Sequence, residues 1–288
     1  MTSPRLRGGS ETARPISFDP ALGATAADQT MASARWVYAV GQVGTRCLTE
    51  GVERELRQAM GGTDPMDIAN LARLRAALTK PENRYLVREL CWVLAVDGID
   101  SYVLAPSDPM DILLLAEAIR PNSRGDNIDA AVGRIVDPSP ADAACSQIPL
   151  PLLVFDQLHS FDTKSFAKKL KGSDAQEVEE SFVVDVLHRL TSLGSGLGLA
   201  AEHRALNYVI LRYPKLYHLA SEKAAEGFSL QAVRFLRPPV AGGRILVDVL
   251  LTFISNVDSR TERWSVKVDV TDKYPFLRGA LSPHLLTH

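Results

Sequence analysis

One polar stretch beside an apolar stripe carries the densest set of side chains able to do chemistry. His203 could move a proton and Arg204 could hold an anion, so these two are the candidate catalytic residues. Asn207 lies four positions after His203, which places both on one face of a helix. Together with Glu202 and Tyr208, Asn207 forms a candidate peptide-binding set. The alternative is that these residues cap and solvate the first turn of a helix.

The sequence contains no recognisable nucleotide, metal or nucleophile motif. The glycine-rich run at residues 194–198 follows a predicted helix and lacks the spacing of a phosphate-binding loop, so we interpret it as a helix–helix connection. The histidines show no HExxH or HxH spacing, although a zinc site assembled from distant residues stays open. No GxSxG or reactive-cysteine signature stands out. We therefore expect no metal and no cofactor.

Two predicted helices and a sheet must position the polar stretch. Apolar residues at helical spacing predict helices at about 175–193 and 200–225, the second kinked or divided at Pro214. The period then changes to two at residues 263–270, which is typical of a strand with one buried face. Residues 228–236 and 243–254 supply its partner strands, so an antiparallel sheet should pack on the two helices.

The N-terminal half mixes strands and helices. Residues 35–41 predict a strand, and a helix should follow and end at Gly61-Gly62. Asp97-Gly98 between two β-prone runs predicts a hairpin. The proline- and glycine-containing residues 121–147 are interpreted as a loop, and residues 148–158 as an edge or irregular strand.

Two acidic segments begin in the same way, at Thr63 and at Ser107. In each, Asp64 or Asp108 precedes a proline, as a helix N-cap does, and a second aspartate follows in the first turn. Such acidic pairs could ligate a metal, but capping explains every polar residue in them. We predict helix starts.

These elements predict an α+β fold with antiparallel sheets and helices packed on one face, which can divide into two subdomains. Residues 1–33 are expected to form a flexible arm because they offer little apolar area. Residues 34–147 form the predicted N-terminal α+β subdomain. Residues 148–288 form the predicted C-terminal helical pair and antiparallel sheet.

Composition excludes several classes of protein. The apolar content of 46% and charged content of 23% are those of a globular protein, and the net charge of -2 argues against binding nucleic acid or an anionic membrane. No apolar run suggests a signal peptide or a spanning helix. Three cysteines without CxxC spacing fit reduced thiols, so we expect a cytoplasmic protein.

Several blocks of sequence resemble the C-terminal region of PatG-type cyanobactin maturation proteins, a domain of unknown function. Residues 38–44, followed by Thr49-Glu50 and Arg54, resemble the opening "YA(I/L)GxxGxxxxTEARR" of that region. Arg204-Ala205-Leu206-Asn207 is similar to its "RALNF" helix, and residues 247–249 with 268–270 resemble its last two strands. The matching blocks run from about residue 36 to 281.

The resemblance implies a role in maturing ribosomally synthesised and post-translationally modified peptides (RiPPs). The protease of those multidomain proteins is a separate subtilisin-like domain, which this chain lacks. The family also carries a cysteine pair before its penultimate strand. The corresponding residues 237–243 contain no cysteine, so a zinc site is not implied there.

Two hypotheses follow. The first is a non-catalytic accessory protein, compatible with a homodimer, that recognises a precursor peptide or another maturation enzyme, for example along an exposed strand edge. The alternative is a metal-independent peptide cyclase or lyase with a cleft near residues 200–208, using His203 and Arg204.

Overall fold

The computed structural model describes residues 35–120, 127–136, 145, 147–171, 178–194, 196–238 and 243–284. The predicted flexible arm at residues 1–33 lies outside these ranges. The elements are, in chain order, β1 (Trp36–Arg46), α1 (Glu50–Ala59), α2 (Leu71–Leu78), α3 (Arg84–Glu89), β2 (Cys91–Val96), β3 (Ile99–Pro106), α4 (Ile112–Ala118), β4 (Asn127–Val136), β5 (Leu152–Asp162), α5 (Thr163–Lys171), α6 (Glu180–Gly194), α7 (Ala201–Arg212), α8 (Lys215–Ala225), β6 (Phe228–Leu236), β7 (Leu246–Ser255), β8 (Thr261–Asp269), β9 (Phe276–Leu277) and β10 (Ser282–Pro283).

The first five strands close into a barrel in the order β1-β2-β3-β5-β4. Neighbouring strands are antiparallel except β3 and β5, which are parallel. The predicted hairpin is confirmed, because β2 and β3 are joined by Asp97-Gly98 and both residues have positive φ. At Gly133 a Cβ would collide with the backbone of Val154, so only glycine lets β4 lie this close to β5.

Two predictions for the middle of the chain are wrong. Residues 127–136, which the sequence placed in a loop, form β4, and it pairs with both β1 and β5. The run from Ile128 to Gly133 is buried on both faces, so the alternation expected of a half-buried strand is missing. The apolar run after residue 148 is not an edge strand, since β5 is paired on both sides and its prolines precede it.

The second sheet has the strand order β10-β8-β7-β6, with β9 also paired to β8. It contains the three strands predicted near the C-terminus, and all of its pairs are antiparallel. Buried side chains of β6, β7 and β8 share one apolar cluster with those of α5, α6, α7 and α8. Pro214 divides the long predicted helix into α7 and α8, because it cannot donate an intrahelical hydrogen bond.

The α+β class predicted from the sequence is therefore confirmed. The helix start predicted at Asp108 is confirmed, since its carboxylate caps the helical turn Pro109–Asp111 by accepting a hydrogen bond from the backbone N–H of Met110 at 2.9 Å. The helix start predicted at Asp64 is wrong: its carboxylate accepts from the N–H of Met66 at 2.9 Å, but this closes only a turn, and the helical residues begin at Ile68. Strand β5 lies after the division expected at residues 147 and 148, yet it pairs with β3 and β4 of the barrel.

The expectation of reduced thiols is wrong for two of the three cysteines. Cys91 and Cys145 form a disulfide whose Cα atoms lie 5.3 Å apart, and Cys47 is free. The two partners are 54 residues apart, a spacing that carries no pairing signal. The described helices are all too short or too polar to span a bilayer.

A buried carboxylate closes the end of β8. Asp269 accepts hydrogen bonds from the Thr271 hydroxyl at 2.6 Å, from Arg244 Nη1 at 2.8 Å and from Arg278 Nε at 3.2 Å. Burial raises the pKa of Asp269, but these donors outweigh it and lower the pKa to about 2. The ionised form of Asp269 is therefore the one that stabilises the fold.

Replacing Asp269 by asparagine should lower the free energy of unfolding by about 2 kcal/mol at neutral pH. This contribution is complete above about pH 4 and is lost as the pH falls towards about 2, because the folded-state pKa is depressed. Urea unfolding at several pH values would measure it. The exposed Asp185 on α6 gives the control, and Asp185→Asn should leave stability nearly unchanged.

Candidate functional site

Helix α7 carries the candidate residues predicted from the sequence. Arg204 is 5% exposed, and its guanidinium donates to the backbone carbonyls of Val270 (Nη1, 2.8 Å), Asp272 and Lys273 (Nη2, 3.2 Å to the latter). Burial lowers the pKa of Arg204 to about 10, although Asp272 opposes this shift. These contacts favour a structural role that ties α7 to the chain after β8. Its catalytic role stays a prediction.

The neighbouring residues of α7 divide between surface and core. Glu202 and Arg237 form a bidentate ion pair, in which Arg237 Nε donates to Oε1 of Glu202 at 2.5 Å and Nη2 donates to Oε2 at 2.6 Å. These donors lower the pKa of Glu202. The imidazole of His203 packs against Gly196, where a Cβ would collide with it. Asn207 is fully buried and donates to the carbonyl of Tyr38 at 2.8 Å. The predicted set therefore does not converge on one cavity.

Among the predicted residues, Tyr208 contacts a residue that lines a large cleft. Its ring meets the ring of Tyr38 edge-on, with centroids 6.4 Å apart. Tyr38 in turn lines a cleft of about 540 Å³ that is bounded by α2, α4, β5, α5 and the end of α7. The apolar part of this cleft includes Leu158, Phe161, Phe166 and Leu211. We call this feature the basic cleft, for the charges that follow.

Charged residues of one sign predominate around the basic cleft. Its described lining contains the cationic side chains of Arg75, Arg120, Lys169 and Arg212 and one carboxylate, that of Glu117. The whole chain is slightly acidic, so this positive charge is a local concentration. A concave site with one sign of charge over apolar walls focuses the electrostatic field on a ligand of the opposite sign.

Arg212 organises the wall beside Tyr38. Its Nη2 lies 3.1 Å from Nε2 of His159. Burial, followed by the charges of Arg212 and Lys169, lowers the pKa of His159, so its neutral ring can accept a hydrogen bond from the guanidinium. Burial also raises the pKa of Tyr38, although the Arg212 guanidinium opposes this shift. The two side chains that contact Arg212 in this wall, His159 and Tyr38, are therefore neutral and do not compensate its positive charge.

A second cavity, of about 450 Å³, shares Arg120 with the basic cleft and is lined by parts of β1, α2 and the end of α4. Asp129 of β4 lines this cavity and is 1% exposed. Its Oδ2 accepts a hydrogen bond from the backbone N–H of Val43 at 2.7 Å. Burial raises the pKa of Asp129 to about 6, although Ser160, Val43 and Arg120 oppose the shift.

Three buried polar atoms around Asp129, namely Asp129 Oδ1, Ser160 Oγ and Arg120 Nε, make no hydrogen bond of good geometry, although the Ser160 hydroxyl lies near enough to the Asp129 carboxylate to help lower its pKa. Asp129 and Ser160 face each other across paired strands β4 and β5. Arg120 is held beside them because its Nη2 donates to the carbonyl of Ser160 at 2.7 Å. We call these three residues the polar cluster. Buried polar groups are normally satisfied in native proteins, so the cluster marks a candidate binding site.

Sequence reasoning missed both the basic cleft and the polar cluster. The four cations of the cleft come from separate elements, and no spacing in the sequence connects them. Asp129 did leave a signal, because it is the one charged residue in the otherwise apolar run from Ile128 to Gly133. The described part of the chain contains no group of three His, Cys, Asp or Glu side chains arranged to hold a metal ion.

Comparison with known proteins gives the family. The family described as "PatG Domain" matches residues 36–181, and the family described as "PatG C-terminal" matches residues 173–284. A solved structure titled "PatG Domain of Unknown Function" is similar in fold, with a TM-score of 0.65 at 19% identity over 86% of this chain and 98% of that chain. No curated protein matches. The resemblance found in the sequence is thereby confirmed, and this chain belongs to the PatG domain family.

Proposed function

We propose that this protein is a non-catalytic accessory protein of RiPP maturation that binds an acidic segment of a precursor peptide in the basic cleft. PatG-family membership supports the pathway. The observation that carries the binding role is the excess of cationic side chains over an apolar floor. Acidic side chains of the peptide would pair with the cations, and an apolar side chain would pack on Phe161 and Phe166.

The cleft suits binding by side chains rather than by strand addition. Every strand of the barrel is paired on both sides, so the barrel offers no free edge near the cleft. Among the described strands of the second sheet, β6 is an outer strand, and it could accept a peptide by main-chain hydrogen bonds. The cleft is the better candidate because it adds charge complementarity and enclosure. A partner enzyme could present the same acidic segment.

The enzymatic alternative finds less support. It requires a cleft at residues 200–208 with His203 and Arg204 free to act. Arg204 is committed to backbone carbonyls, and Glu202 is committed to Arg237. No observation on the described residues favours a cyclase or lyase site there.

We place the protein in the cytoplasm, where ribosomal precursor peptides are made. In this location the Cys91–Cys145 disulfide has to persist, although disulfides are rare in reducing compartments. Cys91 is fully buried, which shields its sulfur from exchange with soluble thiols. A homodimer also belongs to this proposal, and light scattering of the purified chain would measure its mass in solution.

The binding proposal predicts a charge-specific loss of affinity. The double variant Arg75→Glu/Lys169→Glu should bind a synthetic peptide of alternating glutamate and leucine at least about tenfold more weakly, since like charges then face each other across the cleft. Isothermal titration calorimetry would measure it. Added salt should weaken binding to the natural protein more than to the variant.

The matched control is Lys80→Glu/Arg88→Glu, which makes the same charge change at exposed positions that do not line the cleft. This control should retain the natural affinity to within about twofold, because only screened long-range charge has changed. A glutamine-for-glutamate peptide should bind weakly to both forms. Equal losses in the two double variants would show a general charge effect and would reject the cleft as the binding site.

A further inference from the structure

The polar cluster combines donors and acceptors that a single ligand group could satisfy. Asp129 Oδ1 can accept a hydrogen bond, Arg120 Nε–H can donate one, and the Ser160 hydroxyl can do either. All three atoms are buried, and leaving such atoms unpaired costs about 1–3 kcal/mol each. A group that offers both an N–H donor and a carbonyl acceptor would satisfy the acceptor and a donor at once.

Charge balance limits the class of ligand. The negative charge of Asp129 is accompanied by the positive charge of Arg120, and the remaining charged groups that line the second cavity, Arg46 and Asp100, pair with each other at 2.5 Å. An incoming ion would therefore meet a site without net charge and would lose its hydration without a counter-ion. A neutral polar group fits better.

The position of Arg120 relates the cluster to the basic cleft. Arg120 lines both cavities, Ser160 lines the cleft, and Asp129 lines the second cavity. Arg120 and Ser160 therefore belong both to the polar cluster and to the wall of the basic cleft. The polar cluster lies in the interior of the protein rather than on its surface, because Asp129 is 1% exposed and lies on a paired barrel strand.

We infer that Arg120, Asp129 and Ser160 form a subsite for a neutral amide, such as an asparagine or glutamine side chain of the bound peptide. The amide N–H donates to Asp129 Oδ1, and the amide carbonyl accepts both from Arg120 Nε–H and from the Ser160 hydroxyl. This inference rests on the proposed peptide-binding function and names the second chemical group that the peptide presents.

Three small probes of nearly equal size test the inference. Propionamide, propionate and propylammonium share a carbon skeleton but are neutral, anionic and cationic. In spectra of the ¹⁵N-labelled full chain, propionamide should shift the Arg120 Nε–H signal in a saturable way, and the two ions should not. The Ser160→Ala variant should weaken the propionamide response by about fivefold to tenfold, since one hydrogen bond is lost. Ser181→Ala on α6 is the matched control and should leave it unchanged.

The outcomes separate this inference from the binding proposal. A saturable response to propionate or propylammonium equal to that of propionamide would overturn the amide assignment. So would a propionamide affinity that Ser160→Ala leaves unchanged. If propionamide binds as expected while the acidic peptide does not bind, the subsite stands and the proposed function fails. If the acidic peptide binds and propionamide does not, the reverse holds.

Discussion

Replacing Arg204 by methionine should lower the free energy of unfolding by about 3 kcal/mol or more. Methionine keeps much of the apolar stem but removes the donors to the carbonyls of Val270, Asp272 and Lys273. A buried carbonyl left without a donor costs about 1–3 kcal/mol. Urea unfolding, followed by circular dichroism, would give the difference.

A second substitution tests whether stability requires the guanidinium group of Arg204 itself. Arg204→Lys should also destabilise the protein, because a single ammonium cannot reproduce the planar set of donors. Arg189→Met at an exposed position of α6 is the control and should change stability by about 0.5 kcal/mol or less. A stable Arg204→Met protein would contradict the structural role and would return Arg204 to the list of catalytic candidates.

Replacing Asp129 by asparagine should instead stabilise the protein, and only at higher pH. Because burial raises the pKa of Asp129 from 3.8 to about 6, ionisation of the natural residue costs roughly 3 kcal/mol of folding free energy. This cost is absent below about pH 4, grows between about pH 4 and 6, and is complete above that range. Asparagine remains neutral and can still accept from the N–H of Val43.

The expected result is that the two stability curves converge as the pH falls. Asp129→Asn should exceed the natural protein by about 2–3 kcal/mol near pH 8, and the difference should shrink towards zero near pH 4. Thermal or urea unfolding across this range would measure it, and Asp185→Asn should show no such trend. A variant that is less stable at every pH would mean that the carboxylate of Asp129 is stabilised by contacts stronger than those described.

Local signals in the sequence predicted much of the fold. The hairpin at Asp97-Gly98, the division at Pro214 and the alternating strand at residues 263–270 each depend on residues close together in the chain, so period and turn chemistry were sufficient. Strand β4 was missed because both of its faces are buried, and a strand buried on both faces has no alternation to detect. The Cys91–Cys145 bond joins β2 to the segment before β5, and these come together through the pairing of β3 with β2 and with β5, which includes a long-range contact.

The candidate site was harder to predict for the same reason. The polar stretch at residues 202–208 was visible because its members are neighbours in sequence, yet the structure directs them to different surroundings. The basic cleft draws Arg75 from α2, Lys169 from α5 and Arg212 from α7. The unpartnered atoms of the polar cluster become apparent only when β4 and β5 are paired and Arg120 is placed against them.

Hydrogen–deuterium exchange on the full chain, with and without the acidic glutamate–leucine peptide, tests the central claim most directly. The proposal predicts slower exchange on binding at residues 158–170 and 208–214, which border the basic cleft, with residues 228–236 unchanged. Protection confined to the outer strand β6 at residues 228–236, or no protection at a saturating peptide concentration, would contradict it.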